Sequence, residues 1–130
     1  MTESALPDRQ PTLRVVAMPG DVNALGSVFG GWIMAQVDIA ASIPAIRQAK
    51  GKVATRAVNS FEFREPLFVG DVVSFYADLV RTGKTSLTVD VEVYAERLRQ
   101  GARQSIKVTQ AQLTFVALDE QGRPRNIEPR

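Results

Sequence analysis

The 130 residues include no cysteine and no histidine. That double absence excludes disulfides, thiolate or imidazole zinc sites, the Ser-His-Asp triad and the Cys-His nucleophile pair. Acid–base chemistry is left to carboxylates, lysine, tyrosine or water, and no metal site is expected. No run of 18 or more apolar residues occurs, so no transmembrane helix is expected. The opening MTESALPDRQPT is acidic-polar and lacks the apolar core of a signal peptide. Dense Lys/Arg runs are also missing: the isoelectric point is about 9.3, but the formal net charge is only +2. A nucleic-acid partner is therefore not expected, whereas scattered cations could still meet the phosphates of a small molecule. Together with the absence of cysteine, this reads as a cytoplasmic protein with no membrane span.

At this length, with 45% hydrophobic and 23% charged residues, the chain reads as one globular domain over residues 1–130. It is organised around Asp21 to Asp38, DVNALGSVFGGWIMAQVD. A turn-rich loop passes through the Gly30-Gly31 pair and opens an apolar helix expected from about Gly30 to Ala49. Asp38 is the only charged residue between Trp32 and Ala45, and an ionised carboxylate in an apolar element costs several kcal/mol unless it is paired or lines a site. The glycines allow close backbone approach, and the helix start offers free N–H groups and partial positive charge. Anion hole and carboxylate on one segment are the chemistry of a carbonyl-directed site. At 100° per residue, Gly31, Ala35, Asp38, Ser42, Ala45 and Ala49 share a stripe of small residues, against which something packs closely. Trp32, Ile33, Val37, Ile39, Ile43 and Ile46 cover the rest, so the helix is expected to be buried nearly all round.

Around this helix the pattern is β. Residues 1–11 read as a flexible lead-in and Thr12 to Met18 as a first strand. Asn23 lies in the following loop, where its type suits a turn. Pro44 is expected to kink or end the helix, and Lys50-Gly51 to close it. Val53 to Glu65 reads as a strand with Val58, Phe61 and Phe63 in the core. Val72 to Arg81 alternates with an irregularity at Val80, and Thr82-Gly83-Lys84 makes a tight turn. Thr85 to Leu98 places Leu87, Val89, Val91 and Val93 inward. A polar loop from Arg97 to Arg103 precedes a last strand, Ser105 to Leu118, with a bulge near Gln110. Residues 120–130 read as an irregular tail after a turn. The order β-α-β-β-β-β, with long hairpin-linked strands and one apolar helix, implies an α+β fold: a curled antiparallel sheet wrapped around a central helix. Its exposed edges favour self-association.

The chain resembles the hotdog-fold acyl-CoA thioesterases of the YciA-type, broad-specificity group. Three segments carry the likeness: MPGDVNALGSVFGGWIMAQVD, FEFREPLFVGDVVSFYADLVRTGKTSLTVDVEVYAE and LTFVALDEQGRPRNI. Within the first, N-x-x-G-x-x-F-G-G-x-x-M-x-x-x-D is specific in combination, and the likeness runs from about Thr12 to Pro129. It implies hydrolysis of an acyl-CoA to a free acid and CoA, at a site in a homodimer interface, with dimers assembled as a trimer of dimers (a hexamer). Asp38 matches the family's catalytic carboxylate, acting as general base or nucleophile. Asn23 matches the asparagine contributed from the partner subunit. The backbone N–H of Gly30, with that of Gly31, would polarise the thioester carbonyl. The G-x-T-S turn (Gly83, Lys84, Thr85, Ser86) with Arg56 and Arg64 would meet the CoA phosphates. No cofactor is implied, because CoA is part of substrate and product.

The sequence also departs from the family. Leu25, Ser27, Pro44 and the run Ala54 to Asn59 differ from the usual pattern, which leaves the shape of the acyl pocket open. A dehydratase or hydratase of the same fold would need a catalytic histidine beside a carboxylate and is not expected here. A non-catalytic acyl-CoA sensor using the same cleft is the alternative function, although it would leave the Asp38 carboxylate beside an anionic ligand with nothing to do.

Overall fold

The structure, a computed structural model, describes residues 5–127. The first four residues of the expected lead-in and the last three of the expected tail lie outside the described residues. Five strands form one antiparallel sheet: β1 (Leu13–Val16), β2 (Val53–Phe63), β3 (Val72–Thr82), β4 (Ser86–Arg99) and β5 (Ala102–Ala117), in the order β1-β3-β4-β5-β2. Among the described residues one α-helix, the 20-residue α1 (Gly30–Ala49), lies against one face. It buries Ile33, Val37, Ala40, Ala41, Ala45 and Ala49 against Phe75, Val91, Leu113, Phe115 and their neighbours. The alternation of β3 and β4 gives this directly, since successive side chains point to opposite faces.

The helix spans the residues expected of it and is closed at Lys50 as expected. Pro44 lies inside it without ending it. The left-handed residue that closes it is Lys50 (φ 56°), whose N–H donates to Ile46 O. Gly51 instead makes room for a side chain, since a Cβ there would sit 2.9 Å from Arg125 Nη2. Arg125 donates to Ala49 O at 2.6 Å, supplying a charged donor to the helix C-terminus, and to Leu118 O at 3.0 Å, just past β5.

The expectation of a helix buried nearly all round is not met within one chain. A single sheet covers one side of a cylinder, so Met34 and Ile39 remain 42% and 51% exposed. The stripe of small residues divides accordingly: Ala45 and Ala49 are buried, and Gly31 and Ala35 are exposed. Val58 and Phe63, expected in the core, are 47% and 52% exposed because β2 is an edge strand. Phe61 packs partly buried against the core.

The irregularities follow the sheet's curvature. The register of β3 slips at Val80, as its pattern suggests. The β5 bulge falls at Val108, two residues before the expected Gln110, and β2 carries two slips, at Arg56 and Asn59. The expected loop Arg97 to Arg103 is instead a two-residue turn: Gln100 (φ 53°) and Gly101 (φ 79°) are both left-handed, which suits a tight hairpin. Both ends of the described residues are tied down. Arg9 binds Asp78 bidentately at 2.8 and 2.7 Å and lies over Tyr76. Beyond the Asp119 turn, Ile127 N–H donates to Lys84 O.

Candidate active site

The loop before α1 is closed by its own polar groups. Asn23 Oδ1 accepts the N–H of Leu25 at 2.8 Å and of Ser27 at 3.3 Å, and its Nδ2 donates to Ser27 Oγ at 3.2 Å. Asp21 accepts the Met18 N–H, while Val28 N–H donates to Leu67 O and Phe29 N–H to Asp21 O. The loop therefore delivers Gly30 and Gly31 to the first turn of α1 in a fixed position. First-turn N–H groups have no acceptor within their helix, and the helix dipole adds partial positive charge there.

Gly30 faces an open cleft of about 380 Å³ whose other walls include Val28, Ile33, Phe63, Pro66 and Leu67. The Phe63 ring would lie 3.3 Å from a Cβ on Gly30. Behind the cleft, the loop between β2 and β3 is held by a buried ion pair. Asp71 accepts Arg97 Nη2 at 2.8 Å and the Phe68 N–H at 2.9 Å, while Arg97 also reaches Pro66 O and lies over Phe68. Burial pushes the Asp71 carboxyl up, against the opposing pull of the Phe68 N–H and Arg97. The Asp71–Arg97 pair thus holds the loop that carries Pro66 and Leu67 into the cleft wall, and removing one partner would leave an uncompensated buried charge.

Asp38 is half-buried on α1 and accepts a 2.5 Å hydrogen bond from Thr55 Oγ1. Sequence reading missed Thr55. A threonine in an edge strand reads as β-propensity alone, and nothing local ties it to a residue 17 positions earlier.

Asp38 and Gly30 are eight residues apart on one helix, about 12 Å at 1.5 Å per residue. A carbonyl held at the helix start is therefore out of reach of the same chain's Asp38. The proposed phosphate-binding residues are divided as well. Arg64 borders the cleft, 3.8 Å from Glu62, and Arg56 sits exposed at a β2 register slip. Lys84, Thr85 and Ser86 lie at the other end of the helix, where Ala117 N–H donates to Thr85 O. One chain does not bring these two groups together. Among the described residues, no helix is long and apolar enough to cross a membrane.

One helix laid across a curved antiparallel sheet, with glycines at its start and a carboxylate two turns on, is the hotdog architecture of thioesterases. The model of the thioesterase superfamily matches residues 25–102. The chain belongs to that family and is a thioester hydrolase. It is 41% identical over 127 residues to the acyl-CoA thioester hydrolase YciA of Escherichia coli K12, covering 97% of this chain and 96% of that one. Among solved structures it is similar to a hexameric hotdog-fold thioesterase of Campylobacter jejuni (TM-score 0.89, 40% identity, 92% and 91% covered). It is also similar to an acyl-CoA hydrolase of Staphylococcus aureus in complex with butyryl coenzyme A (TM-score 0.79, 30% identity, 88% and 69% covered). Variants of the S. aureus hydrolase with an asparagine and, fifteen positions later, an aspartate replaced by alanine have been solved.

Proposed function

We propose that the protein hydrolyses acyl-CoA thioesters to carboxylic acid and CoA at sites shared between two subunits. The observation that carries this reading is that β2 ties both halves of the chemistry to one exposed edge. Thr55, near one end, holds Asp38, and Phe63, at the other, lies against Gly30. Two copies paired antiparallel along β2, with the dyad near Asn59, place Thr55 of one opposite the partner subunit's Phe63. The carboxylate of one helix then meets the start of the other, which removes the separation of about 12 Å within one helix. The apolar residues left exposed on α1 and β2 fall on the face such a pairing covers.

In the proposed reaction, the thioester oxygen accepts hydrogen bonds from the first-turn N–H groups of Gly30 and Gly31. Asp38 takes a proton from water as it adds to the carbonyl carbon. The tetrahedral intermediate collapses, the carbon–sulfur bond breaks, and the proton passes to the departing CoA sulfur. Direct attack by Asp38 would give an anhydride instead. The Thr55 hydrogen bond fixes the carboxylate for either route. Asn23 places water or thioester, and its fifteen-residue spacing from Asp38 equals that of the two residues replaced in the S. aureus variants. Lys84, Thr85 and Ser86 would meet the CoA phosphates from another subunit, with Arg56 and Arg64 nearer the thioester, and the hexameric state of the C. jejuni thioesterase supports a trimer of dimers. The reaction needs no cofactor, and the cytoplasm is its proposed location.

Free-thiol release from a panel of acyl-CoAs tests the proposal. Asp38→Asn is expected to keep the fold and lose on the order of 10²–10⁴ in turnover. Tight CoA-ester binding without thiol release from the wild type would overturn the proposal in favour of the sensor.

A further inference from the structure

The loop that starts α1 has a second support besides Asn23, and it comes from a buried ion pair that takes no part in the proposed reaction. The side chains of Asp71 and Arg97 are 4% and 9% exposed and meet at 2.8 Å. Desolvation of both charges offsets much of the attraction in such a pair, so it adds little net stability, yet its geometry is exacting. What it holds is one stretch of backbone. Arg97 Nη2 donates to Pro66 O at 3.1 Å, and Asp71 Oδ2 accepts the Phe68 N–H at 2.9 Å. That N–H and the Leu67 carbonyl belong to one planar peptide unit, and the carbonyl accepts the Val28 N–H at 2.8 Å. A rigid plate is therefore pinned on its donor side by the ion pair and carries the lead-in of α1 on its acceptor side. Val28 directly precedes Phe29, the N-cap of α1. Its neighbour Ser27 pairs with Phe68 and is bonded to Asn23 through both backbone and side chain.

We infer that Asp71 and Arg97 are positioning residues for the hydrolysis: through the Leu67–Phe68 peptide they set the Gly30 and Gly31 N–H groups and the Asn23 amide against the thioester. The inference rests on the acyl-CoA hydrolase reading. Neither side chain lines the cleft at Gly30, so neither touches the reacting atoms. The pair is also neutral as a whole, and its influence is one of geometry. Geometry is enough, since displacing a reacting group by about 1 Å can cost on the order of 10²-fold in rate.

The test is steady-state thiol release from one acyl-CoA, well below each melting temperature, for wild type, Arg97→Lys, Asp71→Asn, Ser27→Ala and Arg97→Lys with Ser27→Ala. Lysine keeps the charge opposite Asp71 but lacks the planar fork that serves Asp71 and Pro66 O together. Asparagine keeps an acceptor for the Phe68 N–H and drops the charge, which supplies a second variant should the first not fold. Arg97→Lys and Asp71→Asn are each expected to lower kcat about tenfold, with KM within about threefold of wild type. Ser27→Ala disturbs the same asparagine, so the combined loss should be smaller than the product of the two single losses. A lower melting temperature with kcat unchanged would make the pair a support of the fold only. That result, a rise in KM alone, or losses that simply multiply would overturn the inference while leaving the hydrolase intact. A wild type that cleaves no acyl-CoA overturns the hydrolase reading and this inference with it.

Discussion

Thr55 offers the sharpest substitution at the residue scale. Its hydroxyl orients Asp38 and is exposed enough that removing it leaves no buried cavity. Thr55→Val should lower kcat about tenfold with little change in KM, because an orienting bond acts on the reacting carboxylate rather than on substrate binding. Steady-state kinetics beside a thermal melt would check this. An equal loss in the melt would make Thr55 a structural residue instead. Asp38 could be singled out in sequence because a lone charge in an apolar helix demands an explanation. Thr55 could not, since only the packing of α1 against β2 brings it there. Asn23 shows a third case: both its turn chemistry and its family position were legible, and the chain uses its oxygen to close the loop.

At the scale of the element, α1 was legible nearly to the residue, because the Gly-Gly pair and Lys50-Gly51 bracket one apolar run. How its C-terminus is satisfied was not. The charged donor comes from Arg125, in a segment whose composition reads as irregular tail, and Gly51 is small because that guanidinium passes over it. Arg125→Ala should destabilise the protein by about 2 kcal/mol, the scale of a charged hydrogen bond at a helix C-terminus, measured by urea denaturation. Gly51→Ala should destabilise as well, by forcing the Arg125 side chain aside, and the two substitutions together should cost less than the sum of each. The edge strand β2 illustrates a different limit. Its β-branched and aromatic residues announce a strand, yet whether Val58 and Phe63 face core or surface depends on which strand lies at the edge.

For the whole molecule, the decisive question is whether Asp38 acts on a thioester held by another subunit. Asn23→Asp keeps the oxygen that closes the loop and loses the amide donor, so it suits a mixing experiment better than alanine. Asp38→Asn and Asn23→Asp should each be nearly inactive alone. After unfolding and refolding together in equal amounts, they should recover about a quarter of wild-type activity, since half the dimers are mixed and each carries one intact site. No recovery from correctly assembled mixtures would place both residues in one chain's site.

The amino-acid sequence by itself determined the element order, the limits of the helix, the inward faces of β3 and β4, and the excluded chemistries. These depend on local periodicity, turn residues and residue types, all of which are written along the chain. It also carried the family, through the spacing of Asn23, the glycines and Asp38. Only the tertiary structure decided that β2 is an edge, that Thr55 holds Asp38, and that the Lys84 turn lies far from the cleft. It likewise set Arg125 on the helix end and made one chain cover only half of its helix. Those outcomes are contacts between residues distant in sequence, fixed by strand order and by the way one sheet can curve around one cylinder, and no local pattern encodes them.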